Sequence, residues 1–463
     1  MDIFESSLRF LASIVWGPQT AILLLGVGLL FTIGLKFVQI RRLGLSFRFL
    51  LGKKEYGESR EERKGDITPF QALTTSLAAV IGNGNIAGVC TAIAMGGPGA
   101  VFWMWLSAFF GMATKLAEAV LGQKFKITSP DGTIAGGPMY YIKEGLHLPW
   151  LAGLFAFFMG CKPLFATTTI QSNSIALALK TQLGIEPWVS GLGLALLTWL
   201  VIIGGIKSIA RVTEFLSPIM VFLYFFGALF TIIVFSSRLP HAFYLIFVGA
   251  FKPSAIAGGV AGMTVLRAVR YGLSRGAYSN EAGTGTAAVF HASAKTSEPV
   301  RQGLIASLDV FFDTLVICTL TALSVLVTGA WTTGTSTEMT AAAFNTALPR
   351  IGGLIVMASS FLFGYSSLIA VPYYGEISFS YLLGVWIKRP FRWIFCLVIF
   401  IGAVMKVEEA WSIGDVFNGM MAFTNLIGLM GLAGLAMRSV KSYLSKIDSL
   451  RKEGFIPGGI NKT

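Results

Sequence analysis

Charge is scarce in this sequence. Asp, Glu, Lys and Arg make up 13% of its 463 residues, against about 25% in ordinary soluble domains. A soluble chain of this length needs a far more charged surface. Cysteine is scarce too: Cys90, Cys161, Cys318 and Cys396 lie far apart in apolar stretches, with no CxxC pair. That excludes a disulfide scaffold and reads as small buried hydrophobes. Three histidines (His147, His241, His291) are too few for a histidine-rich metal site. No GxxxxGK[ST] loop occurs, so ATP-driven work is not encoded. What the chain does have is apolar length, at 54% hydrophobic residues, and 53 glycines without a fixed period. Disorder and collagen are excluded. What remains is an all-α polytopic membrane protein.

A helix rises about 1.5 Å per residue, so about 20 apolar residues cross about 30 Å of hydrocarbon. Eleven such segments are predicted, near residues 19–40, 67–95, 99–123, 150–180, 188–205, 213–235, 254–276, 303–329, 351–384, 391–406 and 414–437. Their connections are unequal in charge. The 36–67 loop alone holds nine Lys and Arg, and every second connection after it is basic as well. Drawn this way, 28 of the 36 Lys and Arg fall on one side of the membrane. Loop charge of this kind places the C-terminus in the cytoplasm and the N-terminus outside. It also accounts for the net charge of +13 without a nucleic-acid partner. The first segment lacks a basic start and an AxA-like exit, so it is not read as a cleaved signal peptide.

Four regions follow: residues 1–66 with one extra N-terminal helix and a basic loop, five-helix blocks at 67–235 and 236–437, and a basic tail at 438–463. An odd number of spans per block means that the two blocks enter the membrane from opposite sides. The first helix of each block carries a glycine break, IGNGN at 81–85 and GGVAGM at 258–263. Paired breaks in inverted halves mark a transporter site near the midplane.

A broken helix frees backbone groups, and in a bilayer that is tolerated only against protein or a water-filled cavity. Beyond Gly82-Asn83-Gly84-Asn85 the second half-helix offers free N–H groups and a positive dipole end, suited to a carboxylate. The first half offers free carbonyls, suited to a small cation such as sodium, and Asn85 can add a side-chain amide to either ligand. Packing alone is the bland alternative for the same glycines. On the second break the candidates are Gly258, Gly259, Gly262 and Thr264.

Other motifs are weaker. Gly82-x-Gly84-x-x-Ala87 and Gly283-x-Gly285-x-x-Ala288 loosely fit a dinucleotide fingerprint but follow no strand. Gly272-Leu273-Ser274-Arg275-Gly276 fits GxSxG, with His291 and Asp309 downstream, and keeps a remote intramembrane serine hydrolase among the alternatives. Buried charges need partners. Lys115 and Glu118, three apart, are expected to pair with each other. Asp309 and Asp313 share a helix face and are expected to meet the basic 267–301 loop, or else to line a cation path. Glu376 could couple to gating, and Ser366 and Ser367 suit sodium only if they face the first break.

Six stretches, GNGNIAGVCTAIAMGGPGAVFWMW (82–105), GMATKLAEAVLGQKF (111–125), GGPMYYI (136–142), GGIKSIARV (204–212), SNEAGTGTAAVFHASAKTSEPVRQG (279–303) and PYYGE (372–376), are similar to the alanine or glycine:cation symporter family, also called sodium:alanine symporters. The resemblance covers nearly the whole chain. It implies a LeuT-like fold, a five-plus-five inverted repeat preceded by one extra helix, and sodium-coupled uptake of alanine, glycine or a similar small neutral amino acid. A passive channel for small solutes or ions is the alternative. GNGN resembles the family's G-T-G-N, with Asn83 in place of Thr and Asn85 kept. By that likeness the carbonyls of Ala78, Ile81 and Phe363 and the hydroxyls of Ser366 and Ser367 would bind sodium, while the amides of Asn83 and Gly84 would hold the substrate carboxylate. Gln171 and Asn173 match the family's Q-x-N-S. Val371-Pro372 stands where the family has an aromatic residue and Ser, and the 160–169 stretch with Lys162 also departs. The resemblance implies no organic cofactor, no obligatory protein partner, and a multi-pass place in the plasma (inner) membrane bilayer.

Overall fold

The computed structural model describes residues 15, 18–52, 64–252, 265–334, 336–405 and 408–453. Among the described residues the regular structure is helical except for one small hairpin and an isolated bridge between Ile67 and Ala294. In order the helices are α1 (Pro18–Gly34), α2 (Val38–Arg41), α3 (Leu43–Leu50), α4 (Pro69–Val80), α5 (Ala87–Gly96), α6 (Ala100–Lys124), α7 (Pro138–Leu146), α8 (Pro149–Lys162), α9 (Thr168–Leu183), α10 (Pro187–Ile202) and α11 (Gly205–Val234). There follow α12 (Leu239–Phe251), α13 (Val265–Asn280), α14 (Thr286–Ala292), α15 (Pro299–Val310), α16 (Thr319–Thr328), α17 (Thr337–Ala347), α18 (Gly352–Leu383), α19 (Lys388–Val404), α20 (Glu408–Gly431) and α21 (Ala433–Lys452). Between α6 and α7 lie β1 (Ile127–Thr128) and β2 (Ile134–Ala135), antiparallel, with Ile127 opposite Ala135.

Among the described residues five helices are long and apolar enough to cross a membrane, or seven if each bent pair is one span. Their outward faces are apolar. On α11, Phe215, Ile219, Phe222, Phe226 and Ile233 are exposed at helical spacing, a stripe that water would not tolerate and hydrocarbon would. The interior holds the polar side chains, including Lys115, Glu118, Asp309 and Asp313. This inside-out polarity is that of a multi-pass membrane protein.

Two spans are interrupted. The first is α4–α5, bent by 62° across residues 81–86. Its start is fixed by a capping box: Thr68 Oγ1 accepts from Gln71 N at 3.1 Å, and Gln71 Oε1 accepts from Thr68 N at 3.0 Å. The break expected at 258–263, with Gly258, Gly259, Gly262 and, just beyond it, Thr264, lies outside the described residues. Among the described residues a second break lies at 281–285, between α13 and α14. Glu281, Gly283 and Gly285 there all have positive φ (53°, 89° and 87°), which ends the α-helical path. A further bend of 62° separates α20 from α21, so the last predicted span stops at Gly431 rather than 437.

Two spans also contain π-helical turns, Pro163–Thr167 between α8 and α9 and Phe311–Cys318 between α15 and α16. Pro163 has no N–H to give the helix, and such wide turns collect at functional sites. Both sit beside the breaks.

Candidate functional site

The first break is held open by its own side chains. Asn85 folds back so that its Oδ1 accepts from Gly82 N at 2.9 Å. Asn83 is clamped from both sides: its amide donates to Gln171 Oε1 at 2.8 Å, and its Oδ1 accepts from Ser360 Oγ at 2.5 Å. Among the described residues no acceptor meets the backbone N–H of Asn83 or Gly84. Two free amides at the head of a half-helix form an anion cradle. The Tyr278 ring crosses this cradle; a Cβ on Gly84 would stand 3.7 Å from its Cδ1. Gly82 is more confined, since a Cβ there would come within 2.8 Å of Gln171 Nε2 and 3.0 Å of Ser367 Oγ.

The carbonyls on the other side of the break face α18. Ser366 Oγ donates to Ala78 O at 3.2 Å and to Phe363 O at 2.9 Å, and Ser367 Oγ donates to Phe363 O at 3.1 Å. Four of the five oxygens expected around sodium therefore form one cluster, and these contacts do not include the carbonyl of Ile81. These are neutral, hard oxygen donors, the type that holds a hard cation and not a soft transition metal. Hydroxyls can rotate to turn lone pairs inward. Asn173 lies elsewhere: its amide donates to Met405 O at 2.7 Å.

A second polar cluster joins the two breaks. Asn85 Nδ2 donates to Asp313 Oδ1 at 2.6 Å, while Ser279 Oγ and Thr314 Oγ1 donate to Asp313 Oδ2 at 2.8 and 2.7 Å. Asp313 therefore meets the 267–301 stretch through Ser279, but among the described residues none of its Lys or Arg. Asp309 meets it through His291 Nε2 at 3.2 Å, and also accepts from Ser76 Oγ at 2.5 Å and lies 3.8 Å from Lys115 Nζ. Nor do Lys115 and Glu118 pair as expected. Lys115 donates to Asn280 O at 2.6 Å, the carbonyl end of α13. Glu118 Oε1 accepts from Gly285 N at 3.0 Å and Asn425 Nδ2 at 2.7 Å. Each helix end at the second break is thus satisfied by a side chain of α6. Both residues point across to another helix because their own helix face is packed against it.

Glu281, at this centre, was given no role in the sequence reading. Glu281 pairs with the buried Lys162 and accepts from Thr286 Oγ1 at 2.7 Å. Lys162 Nζ also stands 5.5 Å above the Tyr374 ring. The available signal was GTG at 283–285, read above only as part of a fingerprint. Glu376 forms a two-pronged pair with Arg392, at 2.7 and 2.8 Å.

The hydrolase alternative fails on geometry. Both ring nitrogens of His291 are engaged, Nε2 by Asp309 and Nδ1 at 2.6 Å by Gln302 Nε2. Ser274 bonds its own helix at Tyr271 O, 3.5 Å away. Among the described residues Ser274 makes no hydrogen bond to a base, as a triad would need.

A discontinuous helix beside a buried polar centre is the arrangement in which transporter folds build midplane sites. The fold of MhsT in complex with L-phenylalanine is similar, with a TM-score of 0.54 at 13% identity over 83% of this chain and 99% of that one. The sodium:alanine symporter family profile matches residues 1–456, and the chain belongs to that family. It is a sodium-coupled amino-acid transporter by membership, not an enzyme. The sodium/alanine symporter AgcS of Methanococcus maripaludis is 42% identical over 449 residues, covering 95% of this chain and 97% of its own. GlnT of Bacillus subtilis, described as a probable sodium/glutamine symporter, is 36% identical over 451 residues, covering 96% and 91%.

Proposed function

We propose that the protein takes up a small neutral amino acid, alanine or glycine, by symport with sodium. The carboxylate would rest on the N–H groups of Asn83 and Gly84, and sodium among Ala78, Ile81, Phe363, Ser366 and Ser367. The observation that carries this reading is the convergence of the two serine hydroxyls on Ala78 O and Phe363 O, directly beside the free amides. Sodium there would offset the carboxylate charge at short range, which couples the two ligands. The Tyr278 ring over Gly84 and the tight surroundings of Gly82 favour a short side chain. A substrate as long as glutamine, as printed for GlnT, would need Tyr278 to move. Gly258, Gly259, Gly262 and Thr264, outside the described residues, are proposed as further substrate contacts.

The charge of the loops supports a cytoplasmic C-terminus and an outer N-terminus, in a plasma or inner membrane. Uptake into proteoliposomes tests the function. A symporter concentrates alanine above its external level only while sodium runs inward. A passive channel brings it to equality whatever the sodium gradient, and that result would overturn the proposal.

A further inference from the structure

We infer that the groove between the end of α1 and the tail helix α21 binds the phosphate of an anionic phospholipid. The groove encloses about 370 Å³. Its walls carry four cations, Lys36, Arg41, Arg42 and Lys441, and one acid, Asp448. That acid is committed to Arg42, 2.5 Å away. Among the described residues no carboxylate pairs with Lys36, Arg41 or Lys441, so three positive charges face the same opening. Ser445 adds a hydroxyl, and Leu35, Val38 and Leu444 give an apolar floor.

The backbone is strained to make this shape. Lys36 and Phe37, neither of them glycine, are consecutive left-handed residues with φ of 54° and 57°. Such conformations persist only where the surroundings impose them, and they collect at ligand sites. The turn ends α1 and sends Lys36 to the groove. Gly34 is pressed against α21, where a Cβ would overlap Met437 Sδ, so the two walls have a fixed spacing.

A phospholipid suits this place better than a free anion. Ile33 (59% exposed) and Ile40 (60% exposed) flank the groove on the outward face, where acyl chains would cover them. The groove opens at the end of a membrane span on the side with the basic loops, where the leaflet is anionic. A phosphodiester there would meet ammonium and guanidinium donors with its oxygens and apolar surface with its tails. The inference rests on membrane placement and not on the transport reading.

The test uses the purified, delipidated full chain, titrated with phosphatidylglycerol, phosphatidylethanolamine or inorganic phosphate. Bound lipid is counted by native mass spectrometry and the thermal midpoint is followed. Phosphatidylglycerol should bind saturably and raise the midpoint, phosphatidylethanolamine should do neither, and excess phosphate should not displace the lipid. The triple variant Lys36→Gln/Arg41→Gln/Lys441→Gln should need roughly tenfold more phosphatidylglycerol or worse. A pair outside the groove on the same helix, Arg438→Gln/Lys446→Gln, should bind like the unaltered protein. Lys441→Glu, a single exposed change, repeats the comparison if the triple variant folds poorly. Unchanged lipid affinity in the groove variants overturns the site, an equal loss in the Arg438/Lys446 pair reduces it to summed charge, and displacement by phosphate rejects a lipid occupant.

Discussion

At the scale of single residues, the first break was legible because its chemistry is local. GNGN needs no tertiary information to announce freed backbone groups, and Asn83, Gly84 and Asn85 sit where a broken helix requires them. The partners were less legible. Asn83 depends on Gln171 and Ser360, and Asn85 on Asp313, across sequence separations that no pattern encodes. Two measurements separate site from packing. Removing both hydroxyls in Ser366→Ala/Ser367→Ala should raise the sodium concentration for half-maximal uptake by at least tenfold, about 1.4 kcal/mol, in protein that still inserts. Unaltered sodium dependence would mean these oxygens serve only α18. The glycines make a sharper pair. A methyl on Gly84 meets only the Tyr278 ring at 3.7 Å, so Gly84→Ala should fold normally yet lose alanine binding as the methyl enters the cradle. Gly82→Ala instead collides with Gln171 and Ser367 and should cost about 1–3 kcal/mol of stability. Normal alanine affinity in Gly84→Ala would end the carboxylate assignment.

At the scale of elements, the break at 81–85 was legible and the turn at 281–285 was not. Glycine density drew attention to 258–263, which lies outside the described residues; the turn at 281–285 runs through Glu281, a residue whose left-handed backbone composition does not reveal. What holds that turn is charge from other helices: Lys115 on the last carbonyl of α13, Glu118 on Gly285, Lys162 on Glu281. Lys162→Met would leave Glu281 buried without its counter-charge and should destabilise by about 3–5 kcal/mol. Adding Glu281→Gln should recover most of that loss, and a double variant as unstable as the single would show that the unpaired charge on Glu281 is not its cause. The β1–β2 hairpin is tied down more gently. Lys388 Nζ reaches Asp131 Oδ2 at 2.7 Å and Thr133 Oγ1 at 2.9 Å. Burial acts to raise the Asp131 carboxyl, but Lys388 and two Thr133 donors outweigh it and hold the group below its ordinary value of 3.8. A carboxyl depressed by folding stabilises above its ordinary value and loses that contribution as pH falls through the folded one. Asp131→Asn should therefore cost about 1 kcal/mol at pH 7. By about pH 3 the gap in thermal midpoint between variant and parent should have narrowed; a gap independent of pH would point to the turn geometry and not to the charge.

At the scale of the whole molecule, low charge and long apolar runs were enough to give a multi-pass helical bundle. Composition could not tell which helices bend, because a bend depends on what the freed groups meet. The centre is closed to solvent: Asn83 is 2% exposed, Ser367 1% and Asn85 0%. A standing pore would leave these side chains wet, so transport requires the bundle to open on one side at a time. The chain carries its own reporter of that motion. Cys318 is 3% exposed and its sulfur lies 3.4 Å from Asn85 Nδ2, at the junction of the two breaks. The other three cysteines, Cys90, Cys161 and Cys396, are buried and would be replaced by Ala. In such a variant a small thiol reagent reaches Cys318 only while a path is open. Ligands shift populations by their differential affinity for the two forms, and a site that encloses both ligands is tightest when shut. Sodium and alanine together should therefore slow the labelling of Cys318 relative to either alone. A rate indifferent to both ligands would mean a fixed structure, and would be incompatible with alternating access through this centre.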